Sequence, residues 1–178
     1  GELDAAFFVG PAENALVQQL AAHPELQLAH FRRADAYAAR LPFFNQVTVG
    51  EGLLDLAEQF RDRMDVGFLF VGRGTDASRL KGLAKVRQLD NVLFYDEIHP
   101  DEIPDLYAQC SAGIVALDPR HRSHNIPGKF LTYMQSGLPV LANINAANDL
   151  AQMIRDEQVG QVCESNRVED LVQFANRL

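Results

Sequence analysis

Two clusters in this sequence combine residue types that handle anions. The first runs Asn125-Ile126-Pro127-Gly128-Lys129-Phe130-Leu131-Thr132-Tyr133-Met134-Gln135-Ser136-Gly137-Leu138-Pro139-Val140. It reads as a helix punctuated at both ends and followed by a buried strand. Pro127 suits a first helical turn, because the amide it lacks would have no acceptor inside the helix. Phe130, Tyr133 and Met134 form one apolar stripe. Gly137 suits the left-handed position past the helix end, and Pro139 forbids continuation. At the start, Gly128 leaves the backbone uncovered, the helix dipole favours an anion, and Lys129 adds a full charge. Just upstream, Asp118-Pro119-Arg120-His121-Arg122-Ser123-His124-Asn125 hangs Arg120 and Arg122 over that start. Guanidinium forks match phosphate oxygens. The plain alternative is a capped core helix beside a solvated loop, since most helix starts bind only water.

The second cluster is Gly72-Arg73-Gly74-Thr75-Asp76-Ala77, a G-x-G-x-x-A between an apolar run and a helical pattern, with Asp96 24 residues after Gly72. Taken alone it is a dinucleotide fingerprint, with glycines for the pyrophosphate and an acid for the ribose. Asp76 would stand beside that pyrophosphate and repel it, and the unit lies mid-chain. The alternative is a Gly-rich turn of any α/β sheet. The ending of a P-loop is missing. Nucleophile signatures are absent: Ser111 and Ser136 lack a G-x-S-x-G setting, and neither Cys110 nor Cys163 has a neighbouring base. His121 and His124 sit among arginines without a carboxylate partner beyond Asp118, so no metal site is expected.

The elements that must position these clusters alternate between strand and helix. Short apolar runs mark strands at 5–10, Leu26–Phe31, Gln46–Val49, Val66–Val71, Asn91–Tyr95, Gly113–Leu117, Pro139–Ala142 and Gly160–Cys163. Helical spacing marks Pro11–Ala22, a short piece at Ala34–Ala39, Glu51–Arg63 (Leu53, Leu56, Ala57 and Phe60 inward) and Asp76–Arg87 (Leu80, Leu83 and Ala84 inward). A helix capped by Asp101 carries Ile103, Leu106, Tyr107 and Cys110. Ala146–Asp156 turns Leu150, Met153 and Ile154 inward. A last helix starts at an Asn166-x-x-Glu169 capping box and buries Val168, Leu171, Val172, Ala175 and Leu178. Short strands without polar alternation imply a Rossmann-like α/β fold, a parallel sheet with helices on both faces. Ligands of such sheets sit at the carboxyl ends of the strands, here the loops after Val71, Tyr95, Leu117 and Ala142.

The 178 residues suffice for one domain, 47% apolar and 22% charged, with a net charge of −8. No basic nucleic-acid footprint is present. Two separated cysteines form no disulfide framework, which suits a reducing cytoplasm. No apolar run reaches membrane-span length and no signal peptide is visible. The chain opens with Gly rather than Met, as an expressed fragment would.

From about Val66 to Leu178 the chain resembles the C-terminal, donor-binding domain of retaining GT-B glycosyltransferases of the glycosyltransferase 4 family. The pieces that carry the likeness are Phe68-Leu69-Phe70-Val71-Gly72-Arg73-Gly74, Asn91-Val92-Leu93-Phe94-Tyr95, Glu102-Ile103-Pro104-Asp105-Leu106-Tyr107, Gly113-Ile114-Val115-Ala116-Leu117, and Ile126-Pro127-Gly128-Lys129 through Gly137-Leu138-Pro139-Val140-Leu141-Ala142. The last piece is similar to the P-S-K-x-x-x-Y-M-A-x-G-x-P-V segment of a branch active in bacterial O-antigen, capsule and exopolysaccharide assembly.

The resemblance implies one half of a GT-B fold and a UDP- or GDP-linked sugar donor, with no covalent cofactor. Its diphosphate would meet Pro127, Gly128 and Lys129, with Arg120 or Arg122 in support. The nucleoside would lie against Gly72, Arg73, Gly74, Tyr95, Asp96, Ile98 and Thr132, and the donor sugar near His124 and Asn125. The family's paired glutamates map onto His124 and Thr132, and both are replaced. Gly128 stands where Ser is usual, and the G-R…K-G pattern after the first strand is missing around Val49-Gly50-Glu51-Gly52. Residues 1–44 would be the tail of an N-terminal acceptor-binding domain or a divergent start of this one, and 45–178 the nucleotide-sugar-binding domain. The implied partners are that acceptor domain and a lipid-linked or saccharide acceptor at the inner face of the membrane, with no nucleic acid. The fragment alone would transfer nothing. Two rivals remain: a dinucleotide (NAD)-binding oxidoreductase domain, and a degenerate, non-catalytic GT-B-like module.

Overall fold

The strands are built from runs whose neighbours along the chain point to opposite faces, and both faces are apolar. In the computed structural model of the chain, which describes residues 4–9, 47–63, 65–72, 76–95, 99–117, 126–146 and 148–178, these runs form one six-stranded sheet. Its strands are β1 (Asp4–Val9), β2 (Val66–Val71), β3 (Val92–Tyr95), β4 (Ala112–Ala116), β5 (Val140–Asn143) and β6 (Gly160–Cys163), in the spatial order β3-β2-β1-β4-β5-β6. The described helices are α1 (Val47–Gln59), α2 (Ala77–Val86), α3 (Ile103–Tyr107, entered through a 3-10 turn at Pro100–Glu102), α4 (Gly128–Gln135), α5 (Asp149–Asp156) and α6 (Val168–Ala175).

Alternation along the strands fills two layers. Phe68, Phe70, Ile114, Leu141 and Cys163 face α1, α2 and α6, where Leu54, Leu56, Phe60, Leu80 and Leu171 are buried. Val115, Val140, Ala142 and Val162 face the other way, against Tyr107, Phe130, Tyr133, Leu150 and Ile154 of α3, α4 and α5. Leu69 and Val71 continue that second layer beneath Ile103 and Leu106. The expected Rossmann-like arrangement, a sheet with helices on both faces, is therefore present.

One strand departs from the all-parallel expectation. β2–β3, β4–β5 and β5–β6 are parallel pairs. β1 runs antiparallel to both β2 and β4, with Asp4 opposite Val71 and Ala5 opposite Ile114. Apolar content does not encode strand direction, because either direction lets a strand complete the ladders on both sides. The predicted strand at Gln46–Val49 is also corrected: 47–49 form the first turn of α1. Their β-branched residues favour a strand locally, but the inward row that follows, from Leu53 to Phe60, continues the helical pattern back through them.

Helix ends differ from expectation by small, explicable steps. His99 rather than Asp101 caps the turn before α3. Its Nδ1 accepts the Asp101 N–H at 3.3 Å, and Glu102 Oε2 accepts the His99 N–H at 3.2 Å. Pro100, which has no N–H, starts the turn two residues early. Asn148 caps α5 through the Leu150 N–H at 2.9 Å. Met153 on that helix is exposed and Ala151 takes the inward place. The capping box at Asn166 does not form. Asn166 takes φ 56°, and Ser165 Oγ accepts the Arg167 N–H at 3.2 Å while donating to Asp170 at 2.6 Å. Leu178 lies beyond α6 and is exposed. The helices expected at Pro11–Ala22 and Ala34–Ala39 and the strand at Leu26–Phe31 lie outside the described residues. Among the described residues no helix is long and apolar enough to cross a membrane.

Candidate functional site

β1 through β3 build one side of the sheet and β4 through β6 the other, so the chain's progression reverses between β1 and β4. Ligands of doubly wound sheets lie outside the strands' carboxyl ends at such a reversal. The segment after β4 leads from that point into α4. The start of α4 therefore falls where the fold rule places a ligand.

Packing fixes α4 in place. Phe130 and Tyr133 are buried. Gly113 of β4 lies directly under Tyr133: a Cβ there would stand 2.5 Å from ring carbons Cδ2 and Cε2. Tyr133 also meets the Tyr107 ring, centroids 5.0 Å apart, and its hydroxyl points at the Ile114 carbonyl at 3.5 Å. The far end closes with the Gly137 N–H on Met134 O (3.1 Å) and the Leu138 N–H on Tyr133 O (2.9 Å), with Gly137 at φ 65°. This is the paired-bond termination that satisfies the last carbonyls of a helix and requires a left-handed residue.

Among the described residues, nothing covers the backbone at Gly128 at the near end. Pro127 takes the cap position, one residue before the place expected for it, with φ −61° and ψ 138°. Its carbonyl accepts the Phe130 N–H at 3.0 Å. The first turn holds no acidic residue, and a Cβ on Gly128 would meet nothing within 4 Å. Gly128 is exposed and Lys129 half-buried beside it. Thr132 Oγ1 donates to the Gly128 carbonyl at 3.2 Å, and Ser136 Oγ donates to the Thr132 carbonyl at 3.0 Å. With its proton spent on Gly128, the Thr132 oxygen offers lone pairs outward, as a hydrogen-bond acceptor.

The Gly72 cluster is arranged differently. Gly72 has φ 140°, a conformation reserved for glycine, and its N–H donates to Tyr95 O at 3.1 Å. That bond extends the β2–β3 ladder and removes the first glycine's amide from any phosphate. Asp76 stands at the N-cap position of α2 without a side-chain capping bond, and both its oxygens accept from Arg79, at 2.5 and 2.9 Å. Glu51 of α1 also binds Arg79, and these two carboxylates raise the Arg79 pKa, Asp76 the more strongly. Two carboxylates thus stand at the helix start where a dinucleotide's pyrophosphate would rest. Tyr95 ends β3 half-buried, packed towards Leu69 and Val71. A groove lined by Asp55, Glu58, Gln59, Val168 and Glu169 is acidic and repels phosphates. Among the described residues no group of three or more His, Cys, Asp or Glu could hold a metal ion.

Of the residues singled out from the sequence, Pro127, Gly128, Lys129 and Thr132 come together at the start of α4. Gly72 and Tyr95 meet across β2 and β3. Arg73, Gly74, Asp96, Ile98, Arg120, Arg122, His124 and Asn125 lie outside the described residues. The sequence reading passed over Arg79, which binds Asp76 and Glu51 from the first turn of α2, and Asn143, a polar residue closing an otherwise apolar strand.

Sheet order and the two helical layers together define a Rossmann-like α/β protein. Residues 36–178, most of the chain, match the family of group 1 glycosyl transferases, and the chain belongs to that family. It is a glycosyltransferase domain of the GT-B type. No curated protein matches the chain significantly.

Proposed function

We propose that this chain is the donor-binding half of a retaining glycosyltransferase that takes a UDP- or GDP-linked sugar. The observation that carries the reading is the start of α4. Its open, acid-free first turn, with Gly128 uncovered and Lys129 alongside, sits at the reversal point of the sheet and is held there by Tyr133 on Gly113. In the transfer, the bond from the anomeric carbon to the diphosphate breaks and its electron pair leaves with the diphosphate. Positive charge and backbone donors at this turn stabilise that departing anion without a protein nucleophile. Arg120 and Arg122 of the preceding segment supply further positive charge. The acceptor hydroxyl oxygen bonds to the anomeric carbon on the face the diphosphate leaves, and its proton passes to the departing diphosphate oxygen, in a cleft completed by an N-terminal acceptor-binding domain. The Thr132 oxygen accepts from a ribose hydroxyl in place of the usual glutamate.

The fitting acceptor is a lipid-linked or saccharide precursor of bacterial surface polysaccharide, reached at the inner face of the membrane. Calorimetry of the chain against UDP, GDP and NAD, with and without magnesium, tests the reading. We expect saturable binding of one nucleoside diphosphate, weakened at least tenfold in Lys129→Ala. NAD binding that depends on Asp96 would replace this reading with the oxidoreductase one.

A further inference from the structure

The described residues contain two buried asparagine oxygens without a hydrogen-bond partner, Asn91 Oδ1 and Asn143 Oδ1. They differ in what the rest of the amide does. Asn91 lies at the amino end of β3, and its Nδ2 donates to the Ala57 carbonyl at 2.8 Å. It ties α1 to the sheet, so its place is structural. The Asn143 oxygen has no such counterpart to anchor it. Asn143 closes β5 at the carboxyl edge, in register with Ala116 and Cys163, both of which belong to the layer facing α1, α2 and α6. The Asn143 backbone carbonyl is employed there, accepting the Leu117 N–H at 3.0 Å. An apolar side chain would suit the position better, because a buried carbonyl with no donor is expensive to keep.

We infer that Asn143 is a specificity-determining residue for the sugar of the donor, an inference that rests on the donor-binding reading above. Position along the edge carries it. The expected nucleoside contacts, Gly72 and Tyr95, lie at the tips of β2 and β3. The diphosphate turn follows β4. Asn143 stands at the tip of β5, on the side away from the nucleoside. From β2 to β5 is three strand spacings, about 14 Å, a span that a nucleoside diphosphate bridges with its sugar at the far end. The chemistry agrees with the position. A carboxamide carries both an acceptor and donors, and a sugar hydroxyl both donates and accepts. The diphosphate has only acceptors at neutral pH and gives Asn143 Oδ1 nothing.

The test compares nucleotides with and without the sugar. Calorimetry is run with UDP against UDP-glucose and GDP against GDP-mannose, on the wild-type chain, Asn143→Leu and Asn143→Asp. We expect both variants to hold the nucleoside diphosphate within twofold of wild type and to lose tenfold or more in affinity for its sugar conjugate. Sugar-conjugate affinity that is unchanged, or that falls only in step with the nucleoside diphosphate, overturns the assignment. Asn143→Asp keeps the size of the side chain and carries the test if Asn143→Leu does not fold. Failure of the underlying reading looks different: the wild-type chain then binds neither UDP nor GDP, or Lys129→Ala binds them undiminished.

Discussion

Gly113→Ala reaches the candidate site without touching it. The added methyl would lie 2.5 Å from two ring carbons of Tyr133 and 2.7 Å from a third. The ring cannot swing away, because Tyr133 is fully buried and packed against Tyr107. Overpacking a filled core costs about 1–3 kcal/mol. Contact with a rigid, enclosed ring argues for the upper end. Alanine restores about 0.5–1 kcal/mol of the backbone entropy that glycine loses in a strand. The net destabilisation is about 2 kcal/mol, which for a chain of this size lowers the melting temperature by about 4–8 °C. Because the clash pushes α4 off β4, nucleoside diphosphate affinity should fall as well. Thermal melts followed by circular dichroism give the first quantity and calorimetry the second. The double variant Gly113→Ala/Tyr133→Leu should be less destabilised than the sum of its parts by about 1–2 kcal/mol, as expected for groups in direct contact. A Gly113→Ala protein melting within about 1 °C of wild type would refute the packing argument and the positioning role given to Tyr133.

Four further outcomes follow from the same structure. Gly128→Ala places its methyl in open space, so it should melt no lower than wild type, in contrast to Gly113→Ala. Gln88 and Gln158 occupy left-handed positions at φ 55° and 53°, where α2 and α5 end with the same paired bonds that Gly137 completes for α4. Gln88→Gly and Gln158→Gly should each raise stability by about 0.5–1 kcal/mol in urea titrations. Burial pushes the Cys110 thiol up to about 12, so it should resist iodoacetamide at pH 8 in the folded chain and react once the chain is unfolded in urea. The Arg63 guanidinium holds the Asp65 carboxyl down at about 2. Its folded value lies below the unfolded one, so its contribution to stability is present above about pH 4 and lost as pH falls towards 2. An NMR titration of the Asp65 carboxyl should show the low midpoint, and Arg63→Ala should return it to the ordinary range.

The sequence by itself determined the layered α/β architecture and the site-bearing helix. Val66–Val71 and Gly160–Cys163 are strands at the predicted bounds, and Phe130, Tyr133 and Gly137 occupy the places their spacing implied. These features are local: side-chain alternation, a 3.6-residue stripe and the φ a glycine permits act within a few residues. The resemblance between Val66 and Leu178 pointed to a GT-B-type glycosyltransferase, and the match over 36–178 bears out that coarser statement. Tertiary structure decided what depends on partners distant in the chain. It set β1 antiparallel between β2 and β4, because a short apolar strand satisfies its neighbours' ladders in either direction. It drew 47–49 into α1, because a helix anchored by Leu53, Leu56 and Phe60 overrides the strand preference of three residues. It placed Arg79 and Glu51, 28 residues apart, around Asp76, and left the Asn143 oxygen buried without a donor. Neither a charge pair of that separation nor an unmet hydrogen bond has a periodicity that a sequence can display.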